Sequence, residues 1–130
     1  VQLFYAQCDG VCPAATSTLL AVQDLVADLR DRVRFVSISL DERDTCADLA
    51  EYARSRGMHD EWLLLRGEKA AIETVRTALG ARDPDPEVDA EKSNHSAGLV
   101  LGNDRVDRWT MVSGLASPAA VERAIRRVAQ

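Results

Sequence analysis

Aromatic residues are scarce in this chain, at 5% of 130 residues, and histidine occurs only twice. Cysteine occurs three times, an odd number and too few for a disulfide scaffold, so an apolar core has to hold the fold. Basic charge is not in excess. Sixteen Lys and Arg against 21 Asp and Glu give a net charge of −5, which excludes a protein that tracks nucleic-acid phosphates with a basic face. No apolar run approaches the length of a membrane span, and no basic leader precedes Val1. What is present is an ordinary globular balance, 46% hydrophobic and 28% charged, in a chain long enough for one domain with a real core. The chain opens inside a predicted strand, so it reads as part of something longer.

The patterning alternates between strand and helix. Val1–Ala6 is a short apolar run, read as a buried strand. Pro13 suits the first position of a helix, which puts Cys12 near the N-cap, and Leu19, Val22, Val26 and Leu29 repeat at helical spacing behind it. Val33–Leu40 reads as a second strand. Asp44 and Thr45 are capping residues for a helix ending at Gly57. Glu61–Leu65 is a third strand, and Ile72, Val75 and Leu79 mark a helix that stops at Gly80. Residues 81–93, with two prolines and many acids, read as a loop. Ala97–Leu101 and Arg105–Met111 form a hairpin around Gly102-Asn103-Asp104, and Ser117-Pro118 starts a last helix.

The order β-α-β-α-β-α-β-β-α predicts a mixed central sheet flanked by helices, an α/β three-layer sandwich of thioredoxin-like form over residues 1–130. Sites in such sheets collect beyond the carboxyl ends of the strands. Cys8, Asp41 and Cys46 follow such ends. His95 precedes its strand and joins them only if that strand runs antiparallel or the long loop brings it over.

The stretch Cys8-Asp9-Gly10-Val11-Cys12 sets two thiols four residues apart where a strand becomes a helix. A helix start favours thiolate, so Cys12 is expected to have a lowered pKa. Asp9 opposes that by like charge, and Gly10 gives the turn conformational latitude. A staple across so short a loop adds little stability, so a redox couple or a soft-metal site is favoured over it. A structural zinc site wants four ligands, and the chain has no CxxC pair and no HxxxH. Two thiolates and one imidazole suit copper better, with His95 as the third donor. The plainer reading of His95 is a solvated or hydrogen-bonded residue.

Four stretches then resemble one family in order. VQLFYAQCDGVCP resembles the strand and CxxxCP motif of the Sco/SenC proteins, thioredoxin-fold copper proteins of cytochrome oxidase assembly. FVSISLDERDT resembles their second strand and acidic turn, EWLLLRG their W-x-x-L-x-G segment, and SNHSAGLVL their histidine-bearing strand. The resemblance implies copper, as Cu(I) or Cu(II), on Cys8, Cys12 and His95, with Asp41 or Asp44 as the nearby acid. It implies an extracytoplasmic or periplasmic protein, anchored to the membrane in its full-length form, in a compartment where Cys8 and Cys12 can also close as a disulfide. The chain departs from the family in having Asp9-Gly10 where a proline commonly follows the first cysteine. It also has DERDT in place of D-P-x-R-D-T, and it lacks the family's N-terminal hairpin and anchor.

Two functions compete. In the first, a monomeric metallochaperone passes copper by ligand exchange to the oxidase subunit that carries the binuclear CuA centre, or to another copper or thiol protein. In the second, Cys8 and Cys12 are the catalytic couple of a thiol–disulfide oxidoreductase that reduces partner cysteines without needing His95. A thiol peroxidase and a non-catalytic interaction domain rank below these. Cys46 is read as a small half-buried residue, His59 as a solvated loop residue, Met58 and Met111 as packing residues, and Trp62 and Trp109 as core or hairpin cover. The acidic stretch 81–93 is read either as a solvated loop or as a gate or docking element.

Overall fold

Five short strands build one sheet: β1 (Gln2–Phe4), β2 (Val36–Ser39), β3 (Leu63–Leu65), β4 (Gly98–Asn103) and β5 (Arg108–Ser113), in the order β3-β2-β1-β4-β5. The computed structural model describes residues 1–8, 10–90 and 97–130. β1 runs parallel to β2, with Gln2 opposite Ser37, and antiparallel to β4, with Gln2 opposite Leu99. β3 continues the parallel half, and β5 closes the other edge as an antiparallel hairpin with β4.

Helices α1 (Val11–Leu25) and α2 (Cys46–Ser55) cross from β1 to β2 and from β2 to β3 in the same direction along the sheet. Right-handed crossovers therefore put both on one face, and Thr16 and Tyr52 meet across them at 2.8 Å. Helix α5 (Pro118–Val128), capped by Ser117, joins this face. Its Val121, Ile125 and Val128 pack with Leu19 and Val22 of α1, with Val26 just after it, and with Leu99 and Leu101 of β4. A polar thread runs beneath them: Trp62 Nε1 donates to Ser37 Oγ (2.9 Å), Ser37 Oγ donates to Gln2 Oε1 (2.9 Å), and Gln2 Nε2 donates to Thr16 Oγ1 (3.0 Å). Each of these buried groups has a partner, so the thread costs little in desolvation. Helix α3 (Lys69–Ala78) carries Arg76, whose charge acts on the phenol of Tyr5.

Helix signals were read more accurately than strand ends. Thr45 caps α2 in a reciprocal box with Asp48, and Gly57 and Gly80 both take φ of +65° after their helices, the left-handed stop that glycine allows. Two expectations fail. The hairpin does not turn at Gly102-Asn103-Asp104: the ladder continues through Gly102 opposite Trp109 and Asn103 opposite Arg108, and residues 104–107 make the turn. Gly102 serves the strand instead, since a Cβ there would lie 2.1 Å from the Trp109 ring. Nor is 81–93 simply a loop, because Pro86–Ala90 forms a short helix, α4.

Candidate functional site

β1 ends at Phe4, and the chain turns at once, with the Cys8 N–H donating to the Tyr5 carbonyl at 3.2 Å. Helix α1 then begins at Val11 with Gly10 as N-cap, two residues earlier than Pro13 suggests. Cys12 is therefore the second helical residue and Pro13 the third, which the helix tolerates because its first four N–H groups have no intrahelical partner. This tight return brings the Cys8 and Cys12 side chains into hydrogen-bond contact. Both stand as thiols, as does Cys46. Cys8 is half-buried. Cys12 is 5% exposed and packs with Phe4, Tyr5, Leu49 and Tyr52.

The expected lowering of the Cys12 pKa is reversed. Burial pushes its thiol up to about 12, the hydrogen bond with Cys8 adds to the rise, and the Tyr5 backbone offsets only part of it. A helix start stabilises a thiolate that water or open N–H groups can reach, but packing against two aromatic rings removes that solvation and desolvation wins. Burial likewise raises the phenols of Tyr5 and Tyr52, and the fields of Cys8 and Cys12 add to both. Neither tyrosine was marked in the sequence as part of the site. Tyr5 stands three residues before Cys8, and Tyr52 is on the inward stripe of α2 beside Leu49, signals that read equally well as core.

The two candidate acids are now distinguishable. Asp44, 4% exposed, accepts the Ala6 N–H at 3.0 Å and the Ser39 hydroxyl at 2.6 Å, so it ties together the exits of β1 and β2. Asp41 engages Arg43, whose Nε and second guanidinium nitrogen bind its two oxygens at 2.9 and 2.7 Å, and its charge also reaches Tyr5. Asp44 thus frames the turn that carries Cys8.

His95 lies outside the described residues. Its strand, β4, does run antiparallel to β1 and so enters the sheet at the end where β1 leaves it. Among the described residues, no three His, Cys, Asp or Glu side chains converge as a metal site. The described part of the site is the thiol pair, whose soft donors and adjoining positions fit a thiophilic ion. Other residues stand apart. Cys46, expected half-buried, is exposed at the first position of α2. Met111, expected to pack, is 47% exposed on the edge strand, whereas Met58 does pack between both apolar clusters. Trp62 is in the core, Trp109 covers the hairpin, and His59 is exposed near Asp24. A cavity of about 450 Å³ lined by Val33, Phe35, Leu101, Trp109 and Val128 opens at the amino end of β1, away from the thiols.

The acidic stretch has a feature that the sequence did not suggest. Arg76, 7% exposed, bonds Glu73 on its own helix and Asp89 on α4. The available signal was an arginine four residues after Ile72, on the apolar stripe of α3 and shortly before an acid-rich segment.

Comparison with known proteins agrees with this architecture. A SCO1/SenC family lipoprotein from Bacillus anthracis superposes with a TM-score of 0.76 at 20% identity, covering 98% of this chain and 79% of its own. BsSco, described as having a disulfide switch and as a member of the Sco family of cytochrome c oxidase assembly proteins, gives 0.75 at 20% identity, with 99% and 78% covered. Bradyrhizobium japonicum ScoI, solved with copper bound, gives 0.72 at 26% identity, with 98% and 82% covered. No curated protein matches the chain at a significant level. The SCO1/SenC family model matches residues 1–130, and the chain belongs to that family.

Proposed function

We propose that this protein carries copper for the assembly of cytochrome oxidase, holding one ion on Cys8, Cys12 and His95 and handing it to the copper-bearing subunit by ligand exchange. The observation that carries the reading is the thiol pair itself, in mutual contact beyond the carboxyl end of the central strand. Copper is cargo here. Cys12 supplies a buried, fixed sulfur, and half-buried Cys8 supplies one that a partner's thiolate can reach. The copper-bound ScoI relative and the oxidase-assembly relative support the metal and the destination. The lipoprotein relative supports work on the outer side of a membrane, reached through an anchor.

The test is Cu(I) titration of the reduced protein against a competing chelator, with His95→Ala and Cys8→Ser alongside. One tight equivalent is expected, weakened at least tenfold by His95→Ala and abolished by Cys8→Ser. Equal affinity in the His95→Ala protein would sink the three-donor site.

The second reading is a thiol–disulfide reductase, favoured by the same hydrogen-bonded pair. Accessible Cys8 would then attack the partner's disulfide and Cys12 would resolve the mixed disulfide. That activity survives His95→Ala, so one variant separates the two.

A further inference from the structure

The last strand is an open edge. β5 ends the sheet order, and among the described residues no strand pairs with its outer side. Opposed residues of an antiparallel ladder alternate between hydrogen-bonded and non-bonded pairs. The Gly114 N–H donates to the Ala97 carbonyl at 2.6 Å, which makes Ala97 and Gly114 a bonded pair. Counting back along the register, Val112, Thr110 and Arg108 turn their backbone groups inward to β4, while Ser113, Met111 and Trp109 turn theirs outward. A row of open N–H and C=O groups is a template for another strand, and natural edges are commonly guarded by a proline, a bulge or an exposed lysine. β5 has none of these. Residues 108–113 contain no proline and no lysine, the ladder is regular through all six pairs, and Arg108 reaches back to donate to the Arg127 carbonyl at 2.6 Å. The same outward positions carry apolar side chains. Trp109 and Met111 are about half exposed, as are Val106 before the strand and Leu115 after it.

These side chains are arranged symmetrically. Trp109 and Met111 flank Thr110, and Val106 and Leu115 lie four and five positions from it on either side. A two-fold interface uses one patch twice, so the patch must complement itself. We propose that β5 pairs with β5 of a second copy of this chain, antiparallel about a two-fold axis at Thr110, joining the two five-stranded sheets into one. In that register the open backbone groups of Trp109 meet those of the second copy's Met111, and the symmetry repeats the pair. The indole and the thioether then stand opposite each other on one side of the sheet, in a favourable sulfur–aromatic contact. Val106 approaches the second copy's Leu115. The charged residues at the start of the strand, Asp107 and Arg108, fall opposite Ser113 and Val112, so no like charges meet. This match of register, apolar side chains and charge selects a second copy over an unrelated strand. β4 separates β5 from β1, so the thiol pair is not part of the interface, and the proposal stands independently of the copper reading.

The test is sedimentation of the reduced protein over a wide range of concentration, in a Cys46→Ser background so that no disulfide through that exposed thiol imitates the dimer. The mean mass is expected to climb from one chain toward two. Two variants attack the edge and spare the ladder. Met111→Lys puts a charge among the apolar side chains, and Met111→Pro removes an outward N–H that β4 does not use, a place where an edge strand accepts proline. Each is expected to weaken association by about tenfold or more, with urea midpoints near that of the parent showing that the domain stays folded. Should Met111→Pro fail that check, Met111→Lys decides. The register is read from Thr110→Cys, which faces its own counterpart at a non-bonded position and should close a disulfide between chains on mild oxidation, whereas Ser113→Cys should not. A single mass at every concentration overturns the proposal. Association that the folded Met111 variants do not weaken overturns β5 as the contact, and association without the Thr110→Cys crosslink overturns the pairing about Thr110.

Discussion

The two apolar clusters beneath α1, α2 and α5 differ in what they bury. One, between α1, α5 and β4, is hydrocarbon apart from the indole N–H of Trp62, which Ser37 satisfies. The other, around Phe4, holds Tyr5, Cys12 and Tyr52 among its five buried residues, so three of its members can ionise. The first cluster has only to exclude water. The second also excludes water and thereby raises the pKa of a thiol and two phenols. A reactive group held neutral by burial is quiet until something with higher affinity than a proton arrives. The division of labour between the clusters is therefore open to experiment.

The largest effect should come from the hydrocarbon cluster. Leu99, 1% exposed, is expected to cost about 3 kcal/mol when cut to alanine, by lost burial and the cavity left behind. Urea unfolding measures that loss, while Cys12 alkylation in the folded protein should stay at the wild-type rate. A faster Cys12 would mean that the clusters act as one. Next in size is Asp44→Ala, which leaves the Ala6 N–H and the buried Ser39 hydroxyl without their acceptor, at about 2 kcal/mol. Here the thiols should change as well, because Ala6 leads into the turn that carries Cys8. Stability lost with Cys8 and Cys12 alkylation untouched would show that Asp44 holds the strands without framing the site.

How much of this was legible beforehand follows the same divide. Helices announced themselves through caps and periodicity, as at Thr45, Gly57, Gly80 and Ser117, because those signals are local. The thiol pair was legible from its spacing. The state of Cys12 was not, since it depends on Phe4, Leu49 and Tyr52, which lie 8, 37 and 40 positions away in the sequence and arrive only through packing. Gly102 misled for a similar reason: a glycine beside Asn and Asp looks like a turn until the cross-strand Trp109 is seen over it. Arg76 and Asp89, 13 residues apart, looked like solvated charges in an acidic loop because nothing local marks a buried pair.

The smallest effect sharpens the comparison most. A metal-bound cysteine has lost its proton, so copper must displace any proton that Cys12 still holds. With the Cys12 pKa near 12, raised from 9.0 first by burial, that proton is present throughout the physiological range. Cu(I) affinity should therefore rise about tenfold per pH unit for this one proton, and the rise should continue up to the folded pKa. Had the helix start prevailed, the contribution of Cys12 would already be flat at neutral pH. The copper-free protein gives the same sign independently. Above pH 9 the unfolded thiol ionises while the folded one does not, so the contribution of Cys12 to stability, full below pH 9, drains away between pH 9 and about 12. Chelator competition between pH 6 and 9 reads the first effect, and urea midpoints between pH 8 and 10.5, set against those of Cys12→Ser, read the onset of the second. A flat affinity profile together with a Cys12 that alkylates as fast as exposed Cys46 would mean that the aromatic cluster does not hold the thiol neutral, and the contrast between the two clusters would collapse.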